Sequence, residues 1–316
     1  MLKLSLVILI LMHGLVSLAS AREKPGAPSP HSIQHGGLTR SYLLHIPADV
    51  NPRSSLVIVM HGYMGSANRI MDYSGFNDIA DREDFIVVYP EGTIDQHGYR
   101  FFNVGYDDHA TSTVDDLGFI SSLSLTSDLQ KQLGVTPKPT FIAGMSNGGD
   151  MAYFIACNHS ELYGAMASVT GVLMKHIHDE CIPAKPLPVL QIHGTDNAIS
   201  YFGGDMENKA GYGAYLGAPE TVQFWTEANG LTKKEITFVD NRDQEDDTAV
   251  RFERFFSPNS RNEVWFYSVQ GGGHRWPMEN LTKQQELQAF EFYGPTNRDI
   301  SASDEVWRFF EQYLHN

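Results

Sequence analysis

Cysteine is scarce in this chain, positive charge is thin, and no long apolar run occurs beyond the N-terminal segment. Only Cys157 and Cys181 are present, which excludes a cysteine-rich metal cluster or a densely cross-linked small scaffold. Lys and Arg number 23 against 38 Asp and Glu, for a formal net charge of −15, and the basic residues nowhere cluster. A nucleic-acid or anionic-membrane surface is therefore not expected. The acidity favours solubility and names no substrate. No His, Cys, Asp or Glu set stands at metal-ligand spacing, so the chemistry is expected to need no metal and no cofactor. Repeats, charge blocks and linkers are also missing. With 316 residues and 42% hydrophobic content, the chain suits one large α/β domain.

The one long apolar stretch reads as an export signal. Lys3 supplies a positive start, Leu4 to Leu18 an apolar centre, and Ala19-Ser20-Ala21 a small-residue cleavage site. Residues 1–21 are thus expected to be removed and the protein secreted, to the periplasm or beyond the cell. Arg22 to Gly37, rich in Pro, Gly and Ser, is expected to be a loose lead-in, and residues 38–316 a single catalytic domain. In an exported chain two cysteines are expected to pair; the alternative is two buried thiols.

What the chain does contain centres on residues 138–150. Thr140 to Ala143 is a short apolar, β-prone run; Gly144-Met145-Ser146-Asn147-Gly148 follows at once, and then Met151, Phe154 and Ile155 at helical spacing. Strand, sharp G-x-S-x-G turn and helix together lift a serine hydroxyl clear of a sheet edge. A second apolar run, Leu56 to Met60, ends in His61-Gly62-Tyr63-Met64-Gly65. Such a loop can offer one backbone N–H to an oxyanion, and the residue after the serine the other. The expected donors are Tyr63, with Met64 as second choice, and Asn147. A serine hydroxyl needs a base, and the base needs an orienting group. Asp196 follows the apolar strand Pro188 to Ile192, and His274 follows the strand Val264 to Val269 and three glycines. The order Ser146, Asp196, His274 is that of an α/β-hydrolase. An ordinary imidazole at His274 would place the acid limb of activity at about pH 6 to 7.

Six ordered motifs carry a resemblance over about residues 38 to 280: His61-Gly62-Tyr63-Met64-Gly65-Ser66, Tyr89-Pro90-Glu91-Gly92, residues 114–120 with Asp115-Asp116, Gly144-Met145-Ser146-Asn147-Gly148-Gly149, His193-Gly194-Thr195-Asp196 and Gly272-Gly273-His274-Arg275-Trp276-Pro277. The chain resembles the polyhydroxybutyrate depolymerase-like esterases, a group that includes feruloyl and acetylxylan esterases. The resemblance implies an α/β-hydrolase fold, with a mostly parallel central sheet and helices on both faces. It also implies a secreted serine esterase, and it supports a Cys157–Cys181 disulfide. Phe102-Asn103 stands where the family usually has Trp-Asn, and Arg275 and Met278 where it has smaller residues. These departures bear on substrate preference. Asn103, Asp116 and Trp276 are candidate substrate contacts; for Asp116 the alternative is a helix cap, and for Trp276 core packing.

The expected reaction is hydrolysis of a small or oligomeric carboxylic ester through a Ser-His-Asp triad and an acyl-enzyme. A peptidase or lactone hydrolase on the same residues, or a non-catalytic binding protein on a hydrolase scaffold, are the alternatives. The sequence does not fix the oligomeric state. Residues beyond His274 read as one loop and one closing helix, without the linker that would carry a polymer-binding module. Soluble esters are therefore expected to be turned over well ahead of crystalline polymer. Product release from a crystalline polyhydroxybutyrate film and from soluble esters, at equal enzyme concentration, checks this; a faster rate on the film would reverse the preference.

Overall fold

Twelve strands form in chain order: β1 (Ser29–His35), β2 (Leu38–His45), β3 (Leu56–Met60), β4 (Ile86–Pro90), β5 (Thr93–Ile94), β6 (Arg100–Phe101), β7 (Thr140–Met145), β8 (Ala165–Val169), β9 (Val189–Gly194), β10 (Lys233–Phe238), β11 (Ala249–Phe256) and β12 (Val264–Gln270). The structure is a computed structural model and describes residues 28–51, 54–125, 139–279 and 293–315. The expected export signal lies outside the described residues. Ten strands make one sheet in the order β1-β2-β4-β3-β7-β8-β9-β12-β11-β10, and β5 and β6 form a separate hairpin. The centre, from β4 through β12, is parallel throughout. Antiparallel pairs close both flanks.

The helices are α1 (Ala67–Ser74), α2 (Phe76–Glu83), α3 (Asp116–Leu125), α4 (Asn147–His159), α5 (Lys175–Glu180), α6 (Ala218–Ala228) and α7 (Ala302–Phe310). Alternation along β3 shows how they are arranged. Ile58 and Met60 point into one core with Phe119 of α3, Met151 and Ile155 of α4, and Trp225 of α6. Val57 and Val59 point into the other, with Ile70 of α1, Ile79 of α2, and Val306 and Phe310 of α7. A strand buried on both faces needs an unbroken apolar run, which is why Leu56 to Met60 was legible as central. Each such side chain contributes about 2 kcal/mol by leaving water.

One expectation changes. The lead-in is not loose throughout: Ser29 to His35 pairs antiparallel with β2, from Ser29 opposite Leu44 to His35 opposite Leu38. Its Pro30 is tolerated because an edge strand has one row of N–H groups facing outward. Between β3 and β4 the chain forms two helices, broken at Gly75, whose φ of 67° ends α1 and begins α2. Strands β10 and β11 lay unread in Lys- and Arg-rich sequence, where charged residues at alternate positions hide the apolar pattern.

Cys157, at the end of α4, is bonded to Cys181, directly after α5, with Cα atoms 4.8 Å apart. The bridge closes 24 residues, worth about 3 kcal/mol in the loop-entropy account. Reduction should lower the melting temperature by roughly 5 °C, as differential scanning fluorimetry with and without reductant would show. An unchanged midpoint would mean that the bridge constrains nothing.

Candidate active site

Ser146 joins β7 to α4 at φ 53° and ψ −122°, a left-handed backbone that a side-chain-bearing residue adopts at a cost of about 1–3 kcal/mol. Close approach on either side makes the turn possible. A Cβ on Gly144 would stand 2.1 Å from the Gly148 carbonyl oxygen, and one on Gly148 would stand 2.4 Å from that of Met60. The Ser146 N–H donates to Val169 O at 2.9 Å, hanging the turn on the end of β8, and Asp150 N–H donates to Ser146 O at 2.9 Å. Ser146 stays partly exposed. Its hydroxyl makes no hydrogen bond among the described residues.

The His61–Gly65 loop passes beside it. A Cβ on Gly62 would lie 3.7 Å from Ser146 Oγ. His61 is buried and structural: Nδ1–H donates to Gly62 O at 2.7 Å, and Nε2 accepts from Gly92 N–H at 3.0 Å. The loop turns through Met64 at φ 62°, closed by Gly65 N–H to Gly62 O at 3.0 Å. The backbone N–H groups of Tyr63 and Asn147 make no hydrogen bond among the described residues. The Tyr63 hydroxyl donates to Asp95 Oδ2 at 2.6 Å. Asp95 also accepts from His109 Nε2 at 3.0 Å and from the N–H groups of His97 and Tyr99. Burial opposes its charge, but the bonds from Tyr63, Tyr99, His109 and His97 win and hold the carboxyl well below its usual range. Burial, and then Asp95, push the Tyr63 phenol up, so it remains a donor.

Beneath Ser146 the interior is polar and paired. The Asn147 side chain clamps Phe102 at both ends, accepting from its N–H at 2.7 Å and donating to its carbonyl at 2.9 Å. Asp150, one helical turn on, accepts from Val172 N–H at 2.6 Å and from the Tyr106 hydroxyl. Burial pushes its carboxyl up to about 7, against those bonds. Neither role was read from the sequence, since nothing in the spacing tells a buried Asp from a helix cap.

His274 sits on a backbone pinned by His274 N–H to Tyr293 O at 2.7 Å and Gly273 N–H to Pro295 O at 2.9 Å. Two residues on, Trp276 lies edge-on against Tyr73 and Phe76 beside α1 and α2. The segment therefore runs from the end of β12 back toward the two helices that follow β3. The ring is 5% exposed. Burial first, then the His193 and Arg275 charges, pull His274 down to about 3.

The group facing His274 is not the expected one. Asn197 Oδ1 is 3.1 Å from His274 Nδ1. Asp196 points outward, is exposed, and accepts from Thr195 Oγ1 at 2.9 Å. Its own N–H donates to Gly272 O at 3.0 Å, and that bond turns the Asp196 side chain away from the ring and brings the next one toward it. Two other acids are committed elsewhere: Asp205 caps the turn at Lys209 and Ala210, and Asp115 pairs with His35.

The three candidate substrate contacts are structural. Asp116 is 1% exposed; Arg40 binds one oxygen and Asn103 N–H the other, at 2.7 Å. Burial raises its carboxyl, opposed by the Arg40 charge. Asn103 spends its side chain on its own loop, donating to Ser112 O and Val114 O and accepting from Gly105 N–H. Trp276 is 3% exposed and donates to Ser303 Oγ at 3.1 Å, so the core alternative holds.

A crossover sheet with helices on both faces and a serine on a strained strand-to-helix turn define an α/β-hydrolase. The family described as "Esterase PHB depolymerase" matches residues 40–194. "Putative esterase NocK" of Nocardia uniformis subsp. tsuyamanensis is 28% identical over 86% of this chain and 79% of its own length. "Feruloyl esterase B" of Piromyces equi is 27% identical over 69% of this chain, which spans only 39% of that protein. "Poly(3-hydroxybutyrate) depolymerase" of Ralstonia pickettii is 24% identical over 49% of this chain and 34% of its own length. Among solved structures, the acetyl xylan esterase from Aspergillus awamori shares the fold, with a TM-score of 0.55, 16% identity, and coverage of 84% of this chain and 99% of its own. Over residues 40–194 the chain is similar to the polyhydroxybutyrate depolymerase-like esterases, and its relatives mark it as a carboxylic ester hydrolase.

A buried imidazole at about 3 sets a pH profile different from that of an ordinary one. If His274 is the base, it is neutral throughout the mildly acidic range, and kcat/KM should stay level from pH 7 to pH 5. An acid limb with an apparent pKa of 6 to 7, measured on an acid-stable ester, would show that the working base is not this buried ring.

Proposed function

We propose that this esterase works by nucleophilic catalysis from Ser146, with His274 as general base and the N–H groups of Tyr63 and Asn147 as oxyanion donors. The single observation that carries the reading is the Ser146 backbone: a strained, partly exposed serine at the head of α4, with Gly62 against its hydroxyl. Ser146 Oγ attacks the ester carbonyl, His274 Nε2 takes the hydroxyl proton and returns it to the leaving alcohol, and water then releases the acyl-enzyme. The Ser146 and His274 side chains are not hydrogen-bonded, a gap that in other hydrolases closes when substrate orders the site.

The substrates proposed are soluble esters with an acetyl, aryl or hydroxybutyrate-oligomer acyl part, acted on after export. Relatives named for feruloyl esters and poly(3-hydroxybutyrate) support that range. So does the exposed aromatic rim: Tyr63 and Tyr99, rings 5.8 Å apart, flank the loop beside Ser146 and present faces on which an aryl group can stack.

Ser146→Ala should leave the fold intact and lower kcat by roughly 10⁴-fold or more. A fluorophosphonate should label the wild-type protein at Ser146, read by peptide mass spectrometry. Activity retained in the variant would remove the nucleophile and the reading with it.

A further inference from the structure

We infer that the group orienting the catalytic imidazole is the neutral amide of Asn197, with no carboxylate in the third position, an inference that rests on the roles proposed for Ser146 and His274. Which end of that amide faces the ring decides its value. Asn197 Oδ1 accepts from Ile199 N–H at 3.0 Å and from Ser200 N–H at 2.9 Å. Two backbone donors identify that atom as the oxygen and lock it in place. His274 Nδ1, 3.1 Å away, then has to carry the proton and donate it. The lone pair is left on Nε2, the atom that must accept the serine proton.

An asparagine in this position harms a serine hydrolase when its NH₂ turns toward the ring, because that selects the wrong tautomer. Here the surroundings of the amide are also fixed. Asn197 Nδ2 lies 3.2 Å from His193 Nε2. His193 in turn donates from Nε2 to Ser200 O at 2.8 Å and accepts at Nδ1 from Gln191 Nε2 at 3.0 Å. Gln191 is fixed by Gly171 O and the Tyr153 hydroxyl. The chain of bonds runs from α4 through β9 to the Ser200 backbone, whose N–H in turn holds Asn197 Oδ1, and Tyr153, Gln191, His193 and Asn197 are all buried. Flipping the amide would set its NH₂ against the two backbone N–H donors of Ile199 and Ser200.

The groups facing His274 are His193 from β9, kept neutral by burial, Arg275 beside it, the Tyr293 ring from the C-terminal segment and Asn197. Among the described residues none of the groups facing it is a carboxylate. An aspartate at residue 197 could keep the Ile199, Ser200 and His274 bonds, since its oxygens occupy the same places. Its charge would favour the imidazolium and raise the His274 pKa by roughly one unit or more.

The test uses Asn197→Ala, Asn197→Asp and Asp196→Asn in the full-length protein, with a p-nitrophenyl ester from pH 4 to pH 8. Asn197→Ala should lower kcat on the order of 10²-fold or more with little change in KM. Asn197→Asp should restore activity and move the acid limb to higher pH. Asp196→Asn should stay within about twofold of wild type across the range. An Asp196→Asn loss as large as that of Asn197→Ala would overturn the inference, and so would an acid limb that Asn197→Asp leaves in place. Fluorophosphonate labelling of wild type separates the two levels: no label at Ser146 defeats the nucleophile itself, whereas labelling with the wrong variant pattern defeats only the role of Asn197.

Discussion

Everything at the site depends on holding one residue in a backbone conformation it would not choose. Ser146 at φ 53° is kept there by contacts on three sides: β8 takes its N–H, the Gly148 backbone lies against β3, and α4 begins at once. The cost of about 1–3 kcal/mol is borne by a sheet whose central strands are buried on both faces. Because those strands are buried on both faces, the backbone of Ser146 is set before any substrate arrives. The Asn147 side chain belongs to the same economy: it ties the first residue of the helix to Phe102, so the turn cannot relax without moving the neighbouring loop.

Electrostatics in this interior is managed mostly with neutral groups. Among the described residues His193 and His274 have no carboxylate partner, and desolvation pulls both imidazoles down. Asp150 meets a phenol and a backbone amide in place of a cation. Asp116 with Arg40 is instead a buried ion pair that joins β2 to the start of α3; removing one partner would leave an uncompensated charge. A base that is always neutral is a weak base. Esters, whose leaving alkoxides need less help than amines, are the carbonyl substrates such a base suits.

Much of this was legible in the sequence, and what was not failed for identifiable reasons. Central strands could be read because burial on both faces leaves solid apolar runs, as at Leu56 to Met60. The elbow could be read because its geometry demands glycines at fixed offsets. The third group near His274 could not. Past a strand end, one residue decides which side chain turns inward, and here the Asp196 N–H bond to Gly272 O gives that place to Asn197. Charge preference pointed to the acid, and a hydrogen bond made 76 residues away in sequence chose the amide. Asp116 and Trp276 misled similarly: each stands in a motif that surrounds the site, and each faces the interior. Strand β10, at the edge, and β11 beside it were missed because the outer strands of a sheet can carry charge at positions where a central strand cannot.

Those edge strands make resistance to opening uneven across the sheet. Every residue of β10 is exposed, Phe238 to 73%, and only β11 binds it. Local opening is cheapest where little apolar surface is buried, so β10 is the first ladder to exchange its amide hydrogens with solvent. Strands β3, β4, β8 and β9 are buried along their whole length and are among the last. Ser146 stands on β7 in the middle of that slow group. The enzyme can therefore fray at its rim, many times over, without the serine sensing it.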